Sequence, residues 1–242
     1  MSDRVAARLL SLLDLTSLGE DDTPARIRGL CAAARAATGS PAAVCVYPEH
    51  VTSAREALAG SAIRVATVVN FPDGGDDAQR IARETRRAIA AGAHEVDMVL
   101  PWRTLRAGDV ERARAAVDAC RDVCKDGIVL KLILETGRLE TPDLIRSACA
   151  IGLDAGVDFL KTSTGKVPVN ATPETAVLML DAIAARGGRC GFKAAGGIRT
   201  IADAARYVEL AERRFGADWI TPAHLRIGAS ALFDAITAAL AA

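Results

Sequence analysis

Four charged side chains lie inside short apolar runs of the sequence, where charge is uncommon. The runs read EVDMVL, VLKLIL, FLKTS and GFKAA, and their charged members are Asp97, Lys131, Lys161 and Lys193. If these runs are strands, the apolar residues point to one face and the charge points to the other. A buried lysine beside another cation loses its proton more readily and can attack a carbonyl carbon as a Schiff-base nucleophile. A nearby aspartate can then move protons.

The same charges could instead form a structural ion network, in which Asp97 and Glu135 neutralise the lysines. Such networks perturb pKa values without doing chemistry. Burial costs several kcal/mol per ion unless each ion is well paired, so function explains three lysines and an aspartate on one face more economically. The chain has only five lysines among 30 basic residues. Arginine cannot replace them as a nucleophilic amine because it stays protonated.

Eight apolar runs recur about every thirty residues, which is the spacing of βα units. We predict strands at 12–16, 43–47, 64–70, 95–100, 129–135, 159–163, 191–195 and 225–228. Helical patterns fill the gaps, and their predicted N-caps are Thr23, Thr141, Thr172 and Thr200. Strictly alternating βα units predict an α/β fold with a parallel sheet, and eight of them indicate a single-domain (β/α)8 TIM barrel over 1–242.

Glycines mark the ends of several predicted helices and two predicted loops. Gly92, Gly156 and Gly216 each stand between a helical pattern and what we interpret as a new strand. No GxGxxG motif follows the first strand, which weakens a dinucleotide-binding alternative. Gly196-Gly197 follows the seventh predicted strand and Gly228-Ala229-Ser230 follows the last one. Phosphate sites form at these places in such barrels from backbone N–H donors and a helix N-terminus.

Composition excludes several other classes of protein. The chain has 242 residues, with 30 basic and 30 acidic side chains, so no net field attracts nucleic acid or an anionic membrane. No apolar run approaches the roughly 18 residues of a membrane helix, and the start lacks a signal-peptide core. We therefore expect a cytoplasmic protein. Six cysteines without a CxxC pair and three scattered histidines indicate neither a disulfide framework nor a zinc site.

The motifs together are specific enough to resemble a known family. In chain order they read LDLT, AVCVYP, VNFP, EVD, KLILETG, FLKTSTGK, VNATPE and GFKAAGGIR, and the likeness runs from Leu13 to Ser230. The sequence resembles deoxyribose-phosphate aldolase, a family of class I, Schiff-base aldolases. The resemblance implies reversible cleavage of 2-deoxy-D-ribose 5-phosphate to D-glyceraldehyde 3-phosphate and acetaldehyde.

The resemblance also implies roles for particular residues. Lys161 would form the Schiff base, Lys193 would lower its pKa, and Asp97 would shuttle protons with Lys193 through a water. The residues that would line the pocket are Asp14, Thr16, Cys45, Lys131 and Thr162. The residues that would hold the phosphate are Gly165, Lys166, Gly196, Gly197 and Ser230. No metal or organic cofactor is implied, and the expected partners are a phosphosugar, acetaldehyde and a second subunit in a homodimer.

The chain departs from the family pattern, and other interpretations stay open. Ala194 stands where the family often has proline. Ala231 stands where the family often has a second serine, and we expect this missing hydroxyl to weaken the affinity for phosphate at most. The thiol of Cys45 could be trapped by unsaturated aldehydes or could be inert and buried. The alternatives are a Schiff-base aldolase for another phosphosugar and a phosphosugar-binding protein without turnover. A purely structural scaffold leaves the inward lysines unexplained.

Overall fold

The computed structural model describes residues 3–125 and 127–241 and contains all eight predicted strands. Most strands end one or two residues earlier than predicted, because the chain turns into the loop that precedes the next helix. The strands are β1 Leu13–Thr16, β2 Ala43–Val46, β3 Arg64–Val69, β4 Glu95–Val99, β5 Val129–Ile133, β6 Phe159–Lys161, β7 Gly191–Ala195 and β8 Leu225–Ala229.

Helices fill the connections between the strands. The threonine hydroxyls of Thr23, Thr141, Thr172 and Thr200 accept hydrogen bonds from the first-turn backbone, so the four predicted N-caps are confirmed. The helices are α1 Asp3–Ser11, α2 Pro24–Ala36, α3 Val51–Ala57, α4 Ala78–Ala90, α5 Trp102–Arg106, α6 Val110–Val123, α7 Thr136–Leu139, α8 Pro142–Asp154, α9 Pro173–Ala185, α10 Ile201–Phe215 and α11 Leu232–Leu240.

The eight strands form one closed barrel in chain order, with β8 paired to β1. Every pair is parallel, as the strand–helix alternation predicts. The fold is therefore the predicted (β/α)8 barrel. The register places Lys131 beside Asp97 and places Lys193 between Lys161 and Arg226, so charges on neighbouring strands lie level with one another.

The apolar residues form two separate clusters. The large one lies between the strands and the helices and includes Val44, Val46, Leu130 and Leu132. The small one consists of four buried residues from the alternate positions of β2 and β3, which are Ala43, Cys45, Ala66 and Val68. Since successive side chains of a strand point to opposite faces, the small cluster lies inside the barrel and the large one lies outside it.

One predicted element is wrong. Gly216 ends α10 in the left-handed region of backbone space, with a φ of 87°, but no strand follows directly. Ala217–Trp219 instead forms a single 3-10 turn, and the ring of Trp219 stacks on Phe215. Packing of these two aromatic rings holds the segment against the helix end, and β8 begins six residues later. Within the described part of the chain, the helices are too short or too polar to cross a membrane.

Candidate active site

The four charged side chains from the apolar runs meet inside the barrel. Asp97, Lys131, Lys161 and Lys193 are all buried, and their neighbours Leu130, Leu132 and Phe192 belong to the outer cluster. The prediction that the charges face inward is therefore confirmed. Asp97 lies at the centre of the group and contacts all three ammonium groups.

The carboxylate of Asp97 joins three lysines. Its Oδ1 accepts a hydrogen bond from Lys131 Nζ at 2.8 Å, and its Oδ2 accepts from Lys161 Nζ and Lys193 Nζ, each at 2.7 Å. Burial alone would raise the pKa of Asp97, but the three ammonium groups outweigh it and hold the pKa well below its ordinary value of 3.8. Asp97 is therefore an anion at neutral pH.

The two lysines that share Asp97 differ in their other contacts. Lys193 Nζ also donates to Asp14 Oδ2 at 2.5 Å. Burial would lower the pKa of Lys193, but Asp14 and Asp97 together raise it above its ordinary value. Lys161 has Asp97 as its carboxylate contact, so burial dominates and lowers the pKa of Lys161. One amine is thus inclined to lose its proton while its neighbour stays charged.

Lys161 reaches the floor of an open cleft of about 390 Å³ at the carboxyl ends of β6, β7, β8 and β1. The ammonium of Lys166 lies at the rim of this cleft and donates to the carbonyl of Leu18 at 2.7 Å. The arginines Arg26 and Arg199 also line it. The cleft includes seven of the residues predicted from the sequence, which are Thr16, Lys161, Gly165, Lys166, Gly196, Gly197 and Ser230.

Gly196 shapes this cleft because no other residue fits its position. Its φ is +88°, and a Cβ atom there would lie 2.6 Å from the side chain of Asn170. Gly165 faces it with a φ of +83° and would place its own Cβ 3.9 Å from the Cα of Gly196. The two loops can therefore approach each other closely and present their backbones to the cleft, a geometry that suits an anion held by N–H donors.

Comparison with known proteins identifies the family. The model of the DeoC/LacD family aldolases matches residues 9–236. The chain belongs to this aldolase family. The protein is therefore an enzyme, a lyase that acts on carbon–carbon bonds, and the charged cluster beneath the cleft lies where barrel enzymes carry their chemistry.

Solved structures resemble this aldolase over nearly its whole length. An apo structure from Toxoplasma gondii ME49, provisionally assigned as a deoxyribose-phosphate aldolase, matches with a TM-score of 0.90 at 26% identity, over 99% of this chain and 96% of that chain. A structure from Coccidioides immitis with the same provisional assignment is 32% identical, with a TM-score of 0.83 over 95% and 85%. The tetrameric deoxyribose phosphate aldolase of Aeropyrum pernix matches over 100% and 99% with a TM-score of 0.77, but at 22% identity it shows the fold alone.

Two charged residues of the aldolase cluster are absent from the sequence-based prediction. Arg226 donates to Asp14 Oδ1 at 2.6 Å and to Glu95 Oε1 at 3.0 Å. Glu95 Oε2 lies 2.6 Å from the ammonium of Lys131. Both were discoverable by the alternation rule, because Glu95 lies two residues before Asp97 and Arg226 lies between the outward Leu225 and Ile227.

Glu135 does not neutralise the lysines, contrary to the ion-network interpretation. Strand β5 ends at Ile133, and Glu135 adopts a φ of 58° at the start of α7. Its carboxylate there accepts hydrogen bonds from the hydroxyl of Thr164 at 2.5 Å and from the Thr164 amide at 3.3 Å. Burial raises the pKa of Glu135. In the aldolase, the Glu135 carboxylate therefore anchors the loop after β6 and does not pair with a lysine.

The remaining predicted pocket residues lie close to the cluster. Thr162 is buried and exchanges hydrogen bonds with the backbone of Ala195, while Thr16 donates to the carbonyl of Asp14. Cys45 is fully buried in the small inner apolar cluster, and this burial raises the pKa of its thiol to about 11. The structure thus favours the inert, buried thiol over the solvent-accessible one.

The carboxylates of the aldolase cluster are held by cations of the protein itself. Within residues 3–125 and 127–241, no group of three or more His, Cys, Asp or Glu side chains is arranged to hold a metal ion. Asp14, Glu95 and Asp97 instead contact the ammonium and guanidinium groups of three lysines and one arginine. The site therefore holds buried amines in direct contact with a carboxylate that can exchange protons with them.

Proposed function

We propose that this aldolase cleaves 2-deoxy-D-ribose 5-phosphate reversibly to D-glyceraldehyde 3-phosphate and acetaldehyde, through a Schiff base on Lys161. The observation that carries the proposal is the contrast between the two lysines that share Asp97. Lys161 lines the cleft and contacts one carboxylate, whereas Lys193 lies deeper and contacts two. The 32% identity to the structure from Coccidioides immitis supports the choice of substrate.

The first steps make the sugar carbon electron-poor. The neutral amine of Lys161 attacks C1 of the open-chain aldehyde, and the carbinolamine loses water to give a protonated imine. Lys193 stays protonated between Asp14 and Asp97, so its charge disfavours protonation of the neighbouring amine. The positive imine then draws electrons from the C2–C3 bond.

The bond-breaking steps move protons. A base removes the proton of the C3 hydroxyl, the C2–C3 bond breaks, and its electron pair neutralises the imine to an enamine. C3 leaves as the aldehyde carbon of glyceraldehyde 3-phosphate. Protonation of C2 and hydrolysis of the imine release acetaldehyde and restore Lys161. Asp97 contacts both lysines and is placed to pass protons between Lys193 and a water in the cleft.

The phosphate group of the substrate fits the rim of the cleft. Lys166 supplies an ammonium, and the loops that contain Gly165, Gly196, Gly197 and Ser230 supply backbone donors. Ala231 replaces a family hydroxyl at the start of α11, but backbone donors do not depend on the side chain. Binding of the phosphate at a fixed distance from Lys161 would orient the reacting carbons.

The proposal also places the enzyme in the breakdown of deoxyribose phosphates in the cytoplasm. Its ligands are then a small phosphosugar and acetaldehyde, and its expected assembly is a homodimer. Both the pathway and the assembly rest on the family resemblance rather than on a contact within the chain.

Trapping of the imine tests the proposal directly. The protein is incubated with acetaldehyde and borohydride, and intact and peptide masses are measured. We expect one ethyl group on the peptide that contains Lys161, and none after Lys161→Arg, because arginine stays protonated. Labelling of Lys193 instead would exchange the two roles. A folded protein that is not labelled would contradict the aldolase chemistry and favour a phosphosugar-binding protein.

Comparison of substrates tests the choice of sugar. We expect a higher kcat/KM for 2-deoxyribose 5-phosphate than for ribose 5-phosphate, which carries the additional 2-hydroxyl. Lys166→Met should raise KM for both phosphosugars more than it lowers kcat, because uniform binding energy is lost. A preference for the sugar with the 2-hydroxyl would instead support an aldolase for another phosphosugar.

A further inference from the structure

A chain of ion pairs continues from the catalytic lysines toward the amino-terminal end of the barrel. Asp14 bridges Lys193 and Arg226, with Oδ2 at 2.5 Å from the ammonium and Oδ1 at 2.6 Å from the guanidinium. Arg226 continues to Glu95, which in turn lies 2.6 Å from Lys131. Lys131 contacts Asp97, so the chain closes into a ring of charges inside the barrel.

The ring has one more cation than anions. Its cations are Lys131, Lys161, Lys193 and Arg226, and its anions are Asp14, Glu95 and Asp97. All seven side chains are buried, and an excess charge in such a place is costly. Loss of one proton from one lysine would leave the ring neutral.

The contacts decide which cation can give up its proton. Arg226 stays protonated in proteins. Lys131 and Lys193 each have carboxylate oxygens of two or more residues within 4 Å, whereas Lys161 has those of Asp97 alone among the described residues. Lys161 is therefore the amine whose neutral form is least costly.

We propose that Arg226 and Glu95 are positioning residues that set the net charge of this buried ring and thereby make Lys161 the amine that is neutral when substrate arrives. The inference rests on the proposed function, since it concerns the amine proposed there as the nucleophile. Neither residue lines the cleft, so both act through the ring rather than on the substrate.

Glu95 and Arg226 lie close enough to Lys161 for their charges to change the proton affinity of its amine. Glu95 on β4 and Arg226 on β8 each lie two strands away from β6, which carries Lys161. Strands two apart are separated by about 10 Å. At that distance, with an effective dielectric constant of about 20, one unit charge changes the proton affinity of an amine by about one pH unit.

Other titratable and charged groups face Lys161 or its partners. Cys45 from β2 is a neutral thiol at pH 7 because burial raises its pKa to about 11. Glu135 after β5 interacts electrostatically with Lys161, but its carboxylate accepts its hydrogen bonds from Thr164. Lys166 and two arginines line the cleft above it. Arg64 lies 3.7 Å from Glu95 but is 41% exposed, so solvent screens its charge.

The scarcity of lysine makes the test direct. Five lysines give few signals when the protein is made with lysine labelled with ¹³C at Cε, and Lys161→Arg identifies the signal of Lys161. The pH at which that signal shifts halfway reports the protonation of the amine in the folded protein, without any substrate. The variants to compare with the unaltered protein are Arg226→Met, Glu95→Gln, the double variant, Arg226→Lys and Arg64→Met.

Charge balance predicts opposite shifts that cancel. Arg226→Met leaves equal numbers of cations and anions, so the midpoint of Lys161 should rise by about one pH unit. Glu95→Gln leaves two extra cations, so the midpoint should fall by about one pH unit. The double variant restores the original excess, and its midpoint should return to that of the unaltered protein. Arg226→Lys should keep the midpoint, and Arg64→Met, which removes a solvent-screened charge, should hardly move it.

Shifts in the same direction, no shift, or a double variant that fails to restore the midpoint would overturn the inference. General damage to the barrel cannot produce opposite shifts that cancel. If circular dichroism shows that Arg226→Met does not fold, the expected fall of the Lys161 midpoint in Glu95→Gln tests the inference by itself. Failure of borohydride trapping on the unaltered protein would contradict the proposed function, whereas the midpoints would still test the charge balance.

Discussion

The two sides of the barrel interior differ in almost every property except burial. Strands β4 to β8 and β1 contribute seven charged side chains, which are paired with one another. Strands β2 and β3 contribute the small apolar residues Ala43, Cys45, Ala66 and Val68. Long charged side chains need volume inside a closed, densely packed barrel. The small residues on the opposite strands leave that volume free.

Glycines provide the same room within the charged side. A Cβ atom at Gly228 would lie 3.0 Å from Cε of Lys193, and one at Gly191 would lie 2.4 Å from the ring of Phe159. The guanidinium of Arg226 lies 5.5 Å from the centre of that same ring, close enough for a cation–π contact. Thus β7 and β8 each place a glycine two residues from a long charged side chain, whereas the inner residues of the apolar side are all small.

Removal of the central charge should have the largest effect on stability. Asp97→Asn leaves three buried ammonium groups without the carboxylate that joins them. Breaking a buried ion pair costs about 3–5 kcal/mol, and we expect a loss of that size in the free energy of unfolding measured with urea. Trapping of acetaldehyde at Lys161 should fall as well, because loss of water from the carbinolamine needs proton transfers that Asp97 is proposed to mediate.

A surface pair supplies the matched control. Asp143 contacts Arg146 at 2.9 Å, nearly the same distance, but its side chain is 95% exposed. Asp143→Asn should leave the urea midpoint unchanged, because solvent screens exposed pairs. Equal losses of stability in Asp97→Asn and Asp143→Asn would show that burial does not strengthen the contribution of the Asp97 ion pairs to stability.

On the apolar side, added volume should matter more than charge. Ala66→Leu introduces three heavy atoms into the inner cluster, which is closed on the other side by the lysines. Overpacking of this kind typically costs about 1–3 kcal/mol, which urea unfolding would detect. The same substitution at Ala90, an exposed position on α4, should leave the urea midpoint unchanged. No loss for Ala66→Leu would mean that the apolar side contains unfilled space.

The smallest effect is expected at Cys45, where the two sides meet. Burial raises the pKa of its thiol from an ordinary 9.0 to about 11, so at pH 8 the reactive thiolate is about a hundredfold scarcer. Iodoacetamide should therefore leave Cys45 unmodified in the native protein while it alkylates the urea-unfolded chain, as peptide masses would record. Rapid alkylation of Cys45 in the native protein would revive the accessible-thiol hypothesis.

Strand periodicity predicted the charged side from the sequence because alternation is local. The apolar residues next to each charge show that the side chains of Asp97, Lys131, Lys161 and Lys193 point into the barrel. Alternation also turns Glu95 and Arg226 inward, but it could not predict which of the inward charges pair with one another. Arg226 and Glu95 meet only because β8 and β4 face each other across the closed barrel, and no local pattern contains that information.

The errors have similar physical causes. Glu135 continues the alternation of β5 in the sequence, but the strand ends at Ile133 and the chain turns before the carboxylate can face the lysines. Gly216 follows a helix as Gly92 and Gly156 do, but stacking of Trp219 on Phe215 makes a turn where the pattern predicted a strand. In both cases tertiary packing overrides a local signal.

The distribution of lysine has a practical consequence for the behaviour of the protein in aldehydes. Three of the five lysines are buried in the barrel, of which Lys161 also lines the open cleft, and the other two, Lys125 and Lys166, are exposed. Aldehydes at high concentration condense with exposed amines, and a surface rich in arginine offers them few lysine side chains. A reagent directed at amines therefore meets two lysines on the surface and one at the floor of the cleft, so off-site adducts are few and simple to assign.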